Sequence, residues 1–216
     1  KVVENQTFGE SITETAIDIE GYNKENETET ITIGITGNEI NFYYTKRNDL
    51  SYTVRYLEQG TNQELSREKV VENQIFGETV TENAVDIEGY NKVNDTETIV
   101  VKVSGNEINF YYIKRNDLSY RVEYYYNNVI DNEQTEVVNN QVYGTVINDY
   151  TDKAKTGYKL DKVETLPMTI GVNENVVKVY YVTDDAQTKE LSYTVEYYKD
   201  GVKVDSDTEV EKTTVQ

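Results

Sequence analysis

Along this chain, short stretches of alternating apolar and polar residues are separated by clusters of Gly, Asn and Asp. Tyr52, Val54 and Tyr56 alternate with Thr53 and Arg55, the period-two pattern of a strand with one buried face, and Gln59-Gly60 follows as a turn. Residues 69–75 read as a second strand. Gly77 and the polar run ETVTENAVDIEG then lead through a short helical turn to Gly89-Tyr90, an irregular crossover. Residues 96–103 alternate again, and Ser104-Gly105-Asn106 supplies residue types that tolerate positive φ. Residues 107–114 place Ile108, Phe110 and Tyr112 on one face. These last two runs are expected to form a closing hairpin.

The pattern repeats. Residues 1–49, KVVENQTFGESITETAIDIEGYNKENETETITIGITGNEINFYYTKRND, recur with light substitution as residues 69–117, a spacing of 68. Ile12 becomes Val80, Ile17 becomes Val85 and Ile33 becomes Val101, so apolar positions exchange among β-branched residues, as a sheet core requires. A more divergent copy is marked by LSYRVEYYYNN, NNQVYG, KTGYKL and VVKVYYV, and another opens at LSYTVEYYKDG, where Asp200-Gly201 marks a hairpin turn. The expected division is a partial repeat without its first strand over 1–49, a complete repeat over 50–117, a divergent complete repeat over 118–190, and the start of a further one over 191–216. The alternative phase, 1–68, 69–136 and 137–216, stays open, because similarity alone does not fix the phase of a tandem array. Either way the stretch reads as a segment of a longer array. Each unit is small enough to be marginal alone, so neighbouring repeats are expected to support one another. The junctions are short and poor in Gly and Ser, which implies restricted flexibility, with a bend expected over residues 183–190.

Composition narrows the function classes. With no Cys, no His and no Trp, most nucleophilic, metal and redox chemistry lacks its raw materials, and no enzyme activity, cofactor or metal centre is expected. A formal charge of −19 would repel nucleic-acid phosphates, and the few Lys and Arg form no stripe, so no nucleic-acid partner is expected. No apolar run nears the roughly 20 residues of a spanning helix, which argues against membrane insertion, and residues 1–20 hold no signal-peptide core. Twenty tyrosines with abundant Ile and Val argue for β structure over disorder.

The landmarks Tyr52-x-Val54-x-Tyr56, Phe76-Gly77, Asp86-Ile87-Glu88-Gly89-Tyr90 and Ile108-x-Phe110-x-Tyr112, in that order within a tandem unit, resemble the mucin-binding-protein (MucBP) repeats of Gram-positive cell-surface proteins. The resemblance covers nearly the whole chain. It implies a mainly β or α+β fold of small β-grasp-like (ubiquitin-like) units in an elongated array, with strand one beside the last strand and the crossover over the sheet. It also implies an extracellular, cell-wall-anchored adhesin or stalk, with host mucin glycans or extracellular proteins and the neighbouring repeats as partners. The third copy departs from the pattern: Lys155-Thr156-Gly157-Tyr158 replaces the acidic segment, and an insert carries Pro167 and Met168.

Candidate binding groups are the tyrosines, whose rings could stack on sugars; Tyr44, Tyr111 and Tyr125 are the exposed candidates, against the alternative that tyrosines simply pack the sheets. Asp184-Asp185 and Asp205-Ser206-Asp207 are acidic enough for calcium but lack the D-x-[DN]-x-[DN]-G loop, and read as solvated turns. Asn5, Asn26 and Asn94 open N-x-[ST] triplets that arise readily by chance in so Asn- and Thr-rich a chain. Paired carboxylates for glycoside hydrolysis lack an evident concave site. A Lys–Asn isopeptide crosslink would suit a cysteine-free stalk, and nothing in the pattern locates one.

Overall fold

The computed structural model describes residues 1–187, 189–204 and 209–215. It is built of strands, with no helix among the described residues, and divides into two compact units, Lys1–Ile113 and Lys114–Gln216.

In unit 1 the first copy contributes β1 (Ser11–Thr15), β2 (Tyr22–Lys24), β3 (Thr28–Thr32) and β4 (Tyr44–Lys46). The second contributes β5 (Leu50–Glu58), β6 (Glu64–Gln74), β7 (Thr79–Asn83), β8 (Tyr90–Lys92), β9 (Thr96–Val100) and β10 (Glu107–Lys114). A four-stranded sheet runs β6-β5-β10-β8. Its central pair is parallel, with Glu107 opposite Thr53 at one end and Tyr112 opposite Glu58 at the other. The alternation read in the sequence produces this core: Tyr52, Val54 and Tyr56 from β5 meet Ile108, Phe110 and Tyr112 from β10, all 6% exposed or less. Burying each of the larger side chains contributes roughly 1.5–3 kcal/mol, which is what holds two strands so distant in sequence together.

Two expectations fail here. Residues 96–103 do not pair with β10: β9 pairs antiparallel with β7, Val80 opposite Ile99, and that strand pair sends both side chains against the core. The crossover holds this strand pair instead of a helical turn, because Val80 and Ile99 each sit in an apolar–polar alternation that suits a two-stranded cover. Ser104-Gly105-Asn106 is the loop between the cover and the sheet. Asn106 closes it: its Oδ1 accepts from Lys102 N (2.8 Å) and its Nδ2 donates to the carbonyls of Lys102 (2.8 Å) and Ser51 (3.0 Å).

The first copy repeats the cover pair, β1 with β3, and pairs β2 with β4. The two copies are joined through Phe76. Its N–H donates to the Arg47 carbonyl (2.9 Å), and its ring lies where a Cβ on Gly21 would fall (2.3 Å), edge-on to Tyr22 at 5.9 Å. Gly21 also has φ +81, so any side chain there is excluded twice. Arg47 and Asp49 form a two-bond ion pair at 2.9 Å within the connecting KRND segment, and Arg115 and Asp117 repeat it.

Unit 2 has the same plan. The third copy supplies β11 (Leu118–Tyr126), β12 (Val129–Ile130), β13 (Glu136–Gln141), β14 (Val146–Ile147), β15 (Tyr158–Glu164), β16 (Met168–Thr169) and β17 (Val176–Thr183). β11 and β17 are the parallel centre, β12 and β13 flank β11, β15 flanks β17, and β14 pairs with β16 as the cover. Asn175 repeats the Asn106 bracket with Gly171 and Ser119. Beyond it lie β18 (Lys189–Val195), β19 (Tyr198–Lys199), β20 (Val202–Lys203) and β21 (Glu209–Val215), paired β18 with β21 and β19 with β20. Asp200 and Gly201, at φ 43 and 80, make the expected Asp-Gly turn.

Two core tyrosines of the second copy are hydroxyl-satisfied. Tyr112 donates to the Val85 carbonyl (2.9 Å), and Tyr52 donates to Glu82 (2.6 Å), which also accepts from Lys69 (2.7 Å). Burial pushes both phenols up to about 12, with Glu82 adding to the effect at Tyr52. An unfolded tyrosine loses its proton near pH 10. The stabilisation tied to these neutral phenols is therefore complete below about pH 10 and is lost as pH climbs toward 12. Tyrosinate absorbance should show a class that titrates later than an unfolded tyrosine and appears together with loss of the fold. One class at about 10 in a chain that stays folded would contradict this.

Candidate ligand-binding face

Alternation sends every second residue of the central strands to the sheet face away from the core, and there the two complete copies present comparable rungs. In the second copy Arg55 lies opposite Asn109, and Leu57 opposite Tyr111. In the third, Glu123 lies opposite Lys178, and Tyr125 opposite Tyr180. Each copy thus sets an apolar or aromatic rung beside a charged or polar one.

In the third copy the aromatic rung is a stack. The Tyr125 and Tyr180 rings are 4.8 Å apart and 19° from parallel, and the Lys162 ammonium lies 4.7 Å from the centre of Tyr180. Tyr125 donates to Glu123 (2.8 Å), and Tyr180 to Glu164 (3.2 Å). The Glu123 hydrogen bond, helped by burial, pushes Tyr125 up to about 12; burial foremost, then Glu164, raises Tyr180. Both phenols therefore stay protonated and hold their rings in place. Glu123 is itself buried and carries an ion pair to Arg121 (2.7 Å). Further along β11 the same sheet borders a groove of about 590 Å³, lined among others by Arg115, Asp117, Tyr120, Arg121 and Asn173. An aromatic strip edged by carboxylates, a lysine and arginines offers apolar ring surface together with fixed donors and acceptors, the combination that saccharide hydroxyls and C–H faces need.

In the second copy Tyr111 is 37% exposed, and beside it Arg55 Nε and Asn109 Oδ1 are buried with no hydrogen-bond partner. Arg55 faces Glu68 at 3.5 Å and Glu107 at 3.6 Å, ion-pair distances without a formed Nε hydrogen bond.

Of the three tyrosine candidates, Tyr111 and Tyr125 lie on this face and Tyr44 does not. Tyr44 is the counterpart of Tyr112, points inward, and donates to the Ile17 carbonyl (2.8 Å); it is half-buried, and its neighbour Tyr43 is the exposed one at 64%. Parity explains the difference: in EINFYY the second tyrosine shares the side of Ile and Phe. Tyr180, Lys162, Arg55 and Asn109 were not among the candidates. Their signal was cross-strand pairing, which alternation within one strand does not carry.

Asp184 is committed to a turn, accepting from Ala186 N (3.3 Å) and facing Lys159 at 3.5 Å. Its carboxyl is held below the usual range, first by that backbone hydrogen bond. Residues 205–207, the other acidic cluster, lie outside the described residues. No cluster of three or more metal-binding side chains occurs among the described residues, and no helix there is long and apolar enough to cross a membrane. No protein-family model matches the chain, and no curated protein matches it significantly.

Proposed function

We propose that this chain is a stretch of a non-enzymatic tandem-repeat stalk of a bacterial cell-surface adhesin, of the mucin-binding-protein repeat type, built from small β-grasp-like units in an elongated array. The observation that carries the reading is the joint between the first two copies. Phe76 seated on Gly21, its N–H on the Arg47 carbonyl, and the Arg47–Asp49 clamp make a short, side-chain-locked connection of the kind that a projecting spacer requires. The mixed sheet with first and last strands parallel supports the β-grasp likeness, and the absence of His and Cys supports a non-catalytic role.

Small-angle scattering tests the spacer. The distance distribution is expected to be elongated and to stay so as salt rises, because side-chain packing and not charge repulsion holds the joint; with a Debye length near 10 Å at 0.1 M, a repulsion-extended string would shorten on adding salt. A spherical profile would refute the array.

A second reading, in which each repeat is a weak glycan binder acting by multivalency, is favoured by the aromatic rungs of the outer face. Mucin-type glycans immobilised at high density should then retain the chain, and Tyr111→Ala together with Tyr125→Ala should abolish retention while leaving the fold intact. Equal retention of variant and parent would remove this face from consideration.

A further inference from the structure

Tyr125 and Tyr180 stand opposite each other on the first and last strands of the third copy, β11 and β17, with their rings 4.8 Å apart and 19° from parallel. Both are half-buried on the outer face and so partly open to solvent. Each phenol donates to its own carboxylate, Tyr125 to Glu123 (2.8 Å) and Tyr180 to Glu164 (3.2 Å), and Glu123 is only 6% exposed. Packing alone does not ask for this, since water can satisfy a hydroxyl at a wet face. A second stack between the same strands gives the contrast. Tyr126 and Tyr181 lie 5.1 Å apart and 12° from parallel, but they are 8% and 0% exposed, and Tyr126 donates to the Lys153 carbonyl, which is no base at neutral pH.

We propose that Tyr125 and Tyr180 are a site of oxidative crosslinking, at which hydrogen peroxide acting through a haem peroxidase joins the two rings as dityrosine. Each phenol gives one electron to the peroxidase and its proton to the carboxylate it already faces, Glu123 or Glu164. At neutral pH a phenol is protonated, so the electron leaves readily only where a base within hydrogen-bond reach takes the proton. The two phenoxyl radicals pair their electrons in a bond between ring carbons ortho to the hydroxyls. The hydrogen on each of those carbons then moves to oxygen, which restores both phenols. The two protons held by the carboxylates reach the peroxide through solvent, and one peroxide becomes two waters for each bond made. Because the rings already face each other, coupling within the molecule outpaces encounters between tyrosines of different molecules. The bridge spans the parallel centre of the sheet and, like a disulfide, restrains the unfolded chain in a sequence that has no Cys. The second copy has no such pair at this rung, since Leu57 stands opposite Tyr111. The inference stands apart from the adhesin reading.

The test treats the full chain, at high dilution, with a haem peroxidase and hydrogen peroxide. Dityrosine fluorescence should appear in the monomeric fraction. A tryptic digest of that fraction should contain the peptide that follows Arg121 joined to the one that follows Lys178, lighter by two hydrogen atoms than their sum. Both peptides also carry the buried stack, so variants assign the bond. Tyr125→Phe and Tyr180→Phe each keep a ring in the outer stack and remove its phenol, and each should lose the joined peptide completely. Glu123→Gln keeps an acceptor for the Tyr125 hydroxyl and removes the base; its crosslinking should slow by about tenfold or more, with β11–β17 amide protection unchanged. Crosslinks found only between molecules, a joined peptide that survives in either phenylalanine variant, or a Glu123→Gln rate equal to the parent's would overturn the proposal.

Discussion

Phe110→Ala is expected to unfold the second copy, whereas Phe42→Ala, the same change in the same hexapeptide, is expected to cost little. Phe110 is 1% exposed and its ring lies 6.1 Å from that of Tyr56, 12° from parallel, at the centre of the β5–β10 core. Removing a buried phenylalanine costs roughly 3–5 kcal/mol, about the whole stability that a repeat of this size draws from one core. Phe42 is half-buried and lies outside any strand, so its loss should stay near 1 kcal/mol or below. The chain holds several folding units, so a single melting curve would blur the result. Amide exchange read separately for β5–β10 and β11–β17 separates them: protection should collapse in the first pair alone, and only in Phe110→Ala. Equal effects of the two substitutions would mean that β5 does not make the core.

Asn106→Ala should be nearly as damaging, although it removes no apolar surface. Asn106 is 8% exposed and its amide satisfies three main-chain groups, the Lys102 N–H and the carbonyls of Lys102 and Ser51. Alanine leaves all three without their side-chain partner around a buried position, a cost of up to about 3 kcal/mol in total. Asn106→Asp is the sharper probe. A carboxylate can still accept from Lys102 N, but it turns negative oxygen toward two carbonyls that had received N–H donors. Protonation restores one donor, so this variant's deficit relative to the parent should shrink as pH falls below the carboxylate range and reach its full size above it. Asn38 brackets only Gly34 on an exposed loop, and Asn38→Ala should shift stability by less than about 1 kcal/mol. Urea midpoints followed through amide exchange of β5–β10 for the Asn106 variants and of β1–β3 for Asn38→Ala, each against the parent, decide this; an Asn106→Ala midpoint equal to the parent's would show that the bracket is incidental.

The strands themselves were readable wherever one face is buried and the other wet. Tyr52-x-Val54-x-Tyr56 and Ile108-x-Phe110-x-Tyr112 declare their inward sides by alternation, and the structure buries those six side chains. What alternation cannot say is which strand lies beside which. Residues 96–114 looked like a hairpin because Gly105 and Asn106 are turn formers, yet β9 belongs to the cover and β10 to the sheet; the loop between them is set by a side-chain bracket that turn propensity does not anticipate. The outer-face site was legible by the same measure. Tyr111 and Tyr125 could be chosen one strand at a time, whereas Tyr180 and Asn109 join them only through the parallel register, and counting parity from Phe42 would have exchanged Tyr44 for Tyr43.

The parallel pairing of β5 with β10 also governs how a repeat would carry load. Tension along the polypeptide enters this unit at Leu50, the start of β5, and leaves at Lys114, the end of β10. Because the two strands point the same way, the pull slides one along the other, and the ladder from Thr53–Glu107 to Glu58–Tyr112 is sheared along its length, not peeled from one end. Hydrogen bonds loaded side by side yield together, while an unzipped hairpin gives them up one at a time. Under such a pull the repeat resists at the centre of its sheet, through the same six core side chains that fold it.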